Sequence, residues 1–332
     1  MRLGTWFVAL GLCGLTLAAC EDDPRVPYIP PKLANWPQPY RGVNGLGVHV
    51  FNTGWLHVPE AFILRGGSLT RARDLPAPAV VIEHPTHGLI LFNTGLNPAG
   101  DASPWGSGWT SLLDVSVSRN RGLQAQMREA GLSPEAVRWI VVSDLRFDHA
   151  GEIEAFPQAR VVVTKTEHEA ARQASSGYVP SEFDDVANWE FIDFTAATPV
   201  ATFEAHVDLF GDGSCLLVDA SGVTLGALAM LVRLPQHPLL LAGSLASVEE
   251  SVRYAAKPAS AAEPRRWWDH IWRLKKFRDL VPELVVLPGR ALQPVPAVRS
   301  KAILIHESEP APTDGPPTPT PNVLQRFIPK PM

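Results

Sequence analysis

The sequence is short of cysteine, with only Cys13, Cys20 and Cys215 in 332 residues. Cys13 lies inside an apolar leader. Cys215, between Ser214 and Leu216 in an apolar run, reads as packed core rather than as a nucleophile. The chain also lacks an excess of positive charge. Its 29 Lys and Arg against 34 Asp and Glu give a net charge of −5 and a pI near 6.1. Arg265, Arg266, Lys275 and Lys276 around one predicted helix read as a solvated face, so a nucleic-acid partner is not expected. No Gly-x-Ser-x-Gly elbow occurs, which removes the usual serine nucleophile of α/β-hydrolases. The glycines between Gly42 and Gly47 are spaced too irregularly for a phosphate loop, and Gly211-Asp212-Gly213-Ser214 reads as a hairpin turn.

What the ends contain is informative. Arg2 precedes an apolar run from Leu3 to Leu17, too short to span a bilayer comfortably, so residues 1–19 read as a signal peptide. Its end, "LAAC" (Leu17 to Cys20), resembles the lipobox of bacterial lipoproteins. That resemblance implies cleavage before Cys20, acyl chains on Cys20 and anchoring to a bacterial membrane in the cell envelope. Cys215 is then alone, and the mature chain can form no intramolecular disulfide. Residues 20–40 hold six prolines and read as a stiff tether; residues 307–332, rich in proline and threonine, read as a disordered tail. One folded domain is expected over 41–306.

Within that domain, "GVHVFNTG", "AVVIEHP" and "GLILFNTG" read as strands closed by Gly or Pro, with "PTHG" as a hairpin turn. "SRNRGLQAQMREAGL" reads as a helix, "VRWIVVSD" as a buried strand, and "ARVVVTKTEHEAARQA" as a strand entering a helix. "HVDLFGDGSCLLVDASG" reads as a hairpin and "PLLLAGS" as a strand. The Trp-rich stretch 264–282 reads as a helix with Trp267, Ile271 and Leu274 on its buried face, and "ELVVLPGRA" closes the series. His49, His57, His84, His87, His168, His206, His237 and His270 read as structural or exposed.

In this order, "GLILFNTGLNP", "VVSDLRFDHAGE", "VDLFGDGSCLLVDASGVTLGALAMLVRLP", "PLLLAGSLA" and "VVLPGRA" resemble the metallo-β-lactamase superfamily. Within it they resemble the branch containing N-acyl homoserine lactonases. The resemblance implies a single α+β domain, an αββα four-layer sandwich, with seven ligands around two metals. Its His-x-His-x-Asp-His motif falls on Asp144, Arg146, Asp148 and His149. The later ligands fall on Val223, Ser244 and Arg290, and Asn93 takes the place of an aspartate. Valine offers no lone pair, and a guanidinium is always charged and only donates. The dimetal site is therefore expected to be lost and no cofactor is expected, with Arg146 and Arg290 neutralising Asp144 and Asp148 in place of metal. The alternative is one weakly held divalent ion (Zn, Mn or Mg) on Asp144, Asp148 and His149. Asp148 and His149 are then the candidate catalytic residues. Two functions stay open: a non-catalytic lipoprotein binding a small molecule or another envelope protein, or a lactonase-like hydrolase.

Overall fold

Alternation of side chains along the strands decides how the layers stack. The computed structural model describes residues 30–100, 115–173, 177–298 and 300–306. The leader, Cys20 and the 307–332 tail lie outside the described residues. One sheet contains β1 (Gly47–Pro59), β2 (Ala72–His84), β3 (Gly88–Phe92), β4 (Ser116–Arg119), β5 (Val137–Val141), β6 (Arg160–Thr164) and β7 (Trp189–Ile192). The other contains β8 (Thr198–Val200), β9 (Phe203–Asp208), β10 (Cys215–Asp219), β11 (Leu228–Arg233), β12 (Pro238–Leu241) and β13 (Val285–Leu287). A last strand, β14 (Ile303–Ile305), returns to the first sheet. The orders are β14-β1-β2-β3-β5-β6-β7, with β4 on β1, and β13-β12-β11-β10-β9-β8. Among the described residues the α-helices are α1 (Leu123–Glu129), α2 (Phe147–Ala150), α3 (Lys165–Gln173), α4 (Glu249–Tyr254) and α5 (Pro264–Leu280).

Successive residues of a strand face opposite sides of its sheet. Val80 and Ile82 of β2 meet Cys215, Leu217, Met230 and Val232 in the core between the sheets. Their neighbours Ala79 and Val81 face the other way, into a cluster with Leu123 and Met127 of α1. On the second sheet Leu216 and Val218 turn outward to Trp267, Ile271, Leu274 and Phe277 of α5. Each sheet is thus apolar on both faces and carries helix on its outer one, which yields the αββα sandwich. Cys215 is wholly buried in the middle layer, and burial pushes its thiol up to about 12.

Two sequence expectations shift, and the buried face expected for the Trp-rich helix holds. Residues 31–40 pack on the domain rather than standing off it: Ala34 pairs with Ala201, the Trp36 ring meets Phe277 edge-on at 5.0 Å, and the Tyr40 hydroxyl donates to Leu234 O at 2.7 Å. A Pro-rich segment with two aromatics gains more from an apolar face than from water. The helix expected from Ser118 begins at Leu123, because Ser116–Arg119 form β4 against the far half of β1, a long-range pairing invisible locally. Trp268 is 37% exposed beneath the Lys257 ammonium, whereas Trp267 is buried, its Nε1 donating to Leu245 O.

Strands β3, β5 and β6 run parallel, as do β12 and β13, and the loops leaving their carboxyl ends converge. Their backbones nearly touch. A Cβ on Gly289 would lie 2.3 Å from Gly243 O, and one on Gly243, whose φ is +49°, would lie 2.5 Å from Ser143 Cβ.

Candidate functional site

The loop after β5 and the short helix α2 bring Asp144, Arg146, Asp148 and His149 together; Asp144, Asp148 and His149 are at most 1% exposed. Asp144 Oδ1 accepts from Arg146 Nε at 3.0 Å and from His149 Nδ1 at 2.9 Å. Its Oδ2 accepts from the Ser244 hydroxyl and, at 3.4 Å, from Arg146 Nη2, which also reaches Ser244 Oγ. Asp148 Oδ2 accepts from Arg290 Nε at 2.8 Å, with Arg290 Nη2 2.6 Å from the same oxygen. Of the ligand positions named from the sequence, only Val223 stands apart from this polar cluster. It is partly buried, packs against the outer apolar cluster of the second sheet and lines the cleft wall.

The electrostatics are those of two ion pairs. Burial alone would raise both carboxyls. Against it, Arg146 and His149 hold Asp144 well below the usual carboxylate range, and Arg290, His149 and Arg146 hold Asp148 low. Burial would depress Arg146, yet Asp144 and Asp148 raise it. Two atoms are left over. Asp148 Oδ1 and His149 Nε2 are buried with no hydrogen-bond partner among the described residues, and His149 Nε2 lies 3.6 Å from Asp148 Oδ2. In the tautomer that donates from Nδ1 to Asp144, Nε2 presents a lone pair.

A supporting ring of groups surrounds the pairs, of which only Asn93 was singled out from the sequence. Asn93, at φ +58°, donates from Nδ2 to Ser143 Oγ and accepts Ser143 N–H at 2.8 Å; the Ser143 hydroxyl lies 3.2 Å from His149 Nδ1. Glu167, at the start of α3, accepts Leu145 N–H, Gly226 N–H and the Tyr178 hydroxyl. Burial and the Asp144 charge push Glu167 upward. Its only sequence signal is the Thr164-x-x-Glu167 spacing, a helix-start pattern in which Thr164 Oγ1 accepts Glu167 N–H.

Above this floor opens a cleft of about 560 Å³ whose walls include Leu56, Val58, Phe62, Ile63, Leu75 and Val115. Arg146, Asp148 and Arg290 form its polar base. The guanidinium Nη1 of each arginine makes no hydrogen bond among the described residues.

This donor set does not fit a two-metal centre. Both oxygens of Asp144 are engaged, two of the seven positions are arginines and one is a valine, and a catalytic zinc takes at least three protein ligands. Of the seven ligand positions, Asp148 Oδ1 and His149 Nε2 are the buried side-chain atoms with no hydrogen-bond partner among the described residues.

Residues 72–290 match the metallo-beta-lactamase superfamily. The N-acyl homoserine lactonase AttM of Rhizobium johnstonii is 31% identical over 216 residues, covering 57% of this chain and 78% of that protein. AiiB of Agrobacterium fabrum, also an N-acyl homoserine lactonase, is 27% identical over 213 residues, covering 58% and 74%. Among solved structures, a B. thuringiensis AiiA mutant with N-decanoyl-L-homoserine at its active site superposes with a TM-score of 0.62 at 18% identity, covering 73% of this chain and 92% of that one. AidC, a dizinc quorum-quenching lactonase, gives 0.54 at 14% identity, covering 75% and 90%. Fold, order of elements and the extent of the matched segment agree, and the chain belongs to the metallo-β-lactamase superfamily.

Proposed function

We propose that the cleft is an acyl-lactone site of the lactonase kind, in which two aspartate–arginine pairs occupy the place of the metals and the protein binds such molecules without opening them. The observation that carries this reading is Arg290 on Asp148, with Nε and Nη2 both on one oxygen of a buried carboxylate. The charges of Arg146 and Arg290 balance those of Asp144 and Asp148, so the base of the cleft is close to neutral. A neutral base under apolar walls suits an uncharged carbonyl head group on an acyl chain, with the Nη1 edges as donors.

A second reading is a lactonase-like hydrolase, and two observations favour it. The relatives AttM and AiiB are N-acyl homoserine lactonases. Asp148 Oδ1 and His149 Nε2 are also buried together without partners, as a weakly held Zn²⁺, Mn²⁺ or Mg²⁺ would require. Asp144 does not serve as a third ligand in either reading, since its oxygens are taken. Similarity to relatives favours the hydrolase, and the arginine pairing favours the binder.

The deciding experiment uses purified protein and N-decanoyl homoserine lactone. Calorimetry in chelator is expected to show binding that Arg146→Met weakens at least about tenfold, the scale of one lost hydrogen bond to a charged group. No ring opening is expected with or without added Zn²⁺ or Mn²⁺. Ring opening that needs the metal and vanishes in Asp148→Asn would establish the hydrolase and overturn the binder.

The lipobox-like "LAAC" supports a further part of the proposal: Cys20 carries lipid and holds the domain at a bacterial envelope membrane. There its partner is a small molecule or another envelope protein. Cys20→Ser is expected to move the protein from the membrane to the aqueous fraction; retention in the membrane would refute the anchor.

A further inference from the structure

The opposite end of the sandwich gathers a second set of metal-binding side chains, independent of the cleft. His84 closes β2 and His87 precedes β3, so the turn between these strands presents both imidazoles. Asp212 sits in the turn between β9 and β10 of the other sheet. β3 and β10 each run five residues from here toward the cleft, so the two ends are separated by roughly 16 Å of strand. One ligand atom from each of His84, His87 and Asp212 can be chosen so that all three lie within 4.8 Å of one another.

The groups are held in place by contacts that leave those atoms facing inward. Phe210 stacks on the His87 ring at 4.0 Å and meets the His84 ring at 5.1 Å; the two imidazoles are 4.6 Å apart. Asp208 accepts the N–H groups of Phe210, Gly211 and Gly213, which fixes the β9–β10 turn. Asp212 Oδ1 accepts Ser214 N–H at 2.9 Å, so its other oxygen, Oδ2, is left 3.3 Å from His84 Nε2. The His87 ring nitrogens make no hydrogen bond among the described residues. Burial also lowers His84 from its ordinary value, favouring the imidazole over the imidazolium.

We propose that His84, His87 and Asp212 form a divalent transition-metal site, of the Zn²⁺ or Ni²⁺ type, that staples the two sheets at the end remote from the cleft. Two imidazoles and one carboxylate supply three ligands and leave a fourth position to water. Without metal, His84 Nε2 donates to Ser214 Oγ at 3.0 Å, while Nδ1 accepts the N–H groups of Thr86 and His87 at 3.2 Å each. Metal binding moves the ring proton from Nε2 to Nδ1, where the Thr86 hydroxyl, 3.2 Å away, accepts it. Losing two long backbone hydrogen bonds keeps the affinity modest.

The test uses chelator-stripped protein with ¹⁵N-labelled histidine. Zn²⁺ is expected to bind one per chain and, at a hundredfold excess over its Kd, to raise Tm by about 5–10 °C. Ni²⁺ is expected to broaden the His84 and His87 resonances and spare His149. His87→Ala removes a half-exposed ring with no hydrogen bond, and Asp212→Asn keeps the turn's acceptor. Each is expected to weaken Zn²⁺ binding at least tenfold. Unchanged affinity in both variants, broadening of His149 instead of His84 and His87, or no bound ion would each overturn the site.

Discussion

Arg290 makes the ion pair of the site that spans the greatest length of chain. It is drawn to Asp148 from 142 positions away and is the strongest counter-charge of a carboxylate that is 1% exposed. Replacing it with methionine keeps the apolar stem but leaves a buried charge short of its partner, a loss that costs about 3–5 kcal/mol in comparable settings. Because Asp148 is held below its unfolded value, the stability it contributes is present above the unfolded carboxylate pKa of about 3.9 and is lost as pH falls through the lower folded value. Arg290→Met raises that folded value toward or above the unfolded one, so this contribution shrinks and the mutant's deficit is smaller at pH 4 than at pH 7. Asp148→Leu with Arg290→Met is expected to recover most of the deficit, since apolar groups can replace a buried pair. Urea denaturation at pH 4 and pH 7 checks all three statements; a single mutant within 1 kcal/mol of the parent would show that the pair is not structural. Proximity within the site was legible only in part. Asp144, Arg146, Asp148 and His149 share six residues of chain, whereas Ser244 and Arg290 were placed by resemblance. Glu167 and Tyr178 gave too little signal, because Glu167 sits in a polar helix and is buried by loops distant in sequence.

Helix α1 shows how an element's beginning can be set by another part of the chain. Its N-cap is Gly122, which has no side chain to offer, and the carboxylate of Glu152 supplies the acceptor, taking Leu123 N–H at 2.5 Å. Burial pushes Glu152 up to about 7. A carboxyl whose folded pKa exceeds its unfolded one binds more protons in the folded state. Its stabilising contribution is therefore complete below about pH 4.3 and is lost as pH rises toward 7. Glu182 is likewise pushed up to about 7 by burial, so both groups add to this downward slope. Glu152→Gln keeps an oxygen for Leu123 and removes its own titration. The fall in stability between pH 4.5 and 7.5 is expected to shrink by about half, read from denaturation midpoints at fixed temperature. An unchanged slope would place the titration elsewhere. Local pattern found the body of this helix through Leu123 and Met127 but not its start. Neither the Glu152 contact nor the β4 pairing of Ser116–Arg119 leaves a mark within ten residues of it.

Over the whole molecule, the described residues contain one cysteine, so the two sheets are held by apolar layers and by the segments that close them. The alternation of Val80 and Ile82 against Ala79 and Val81 was enough to imply layers on both sides of a sheet. It could not place β14 parallel to β1, or residues 31–40 on the outer face of the second sheet, because both depend on contacts far apart in sequence. Trp36 is the anchor of that second arrangement. It packs against the cluster containing Leu274 and Phe277, meets Phe277 edge-on and stacks on Tyr40 at 5.8 Å. If residues 31–40 belong to the folded unit, Trp36→Ala must destabilise the entire domain, by about 1–3 kcal/mol for a partly buried aromatic. The same change in a freestanding tether would cost nothing. Limited proteolysis gives the second readout: cuts within 31–40 should be slow in the parent and fast in Trp36→Ala, while α5 stays protected until global unfolding. Equal cutting of both proteins, with equal denaturation midpoints, would return these ten residues to the role of a spacer.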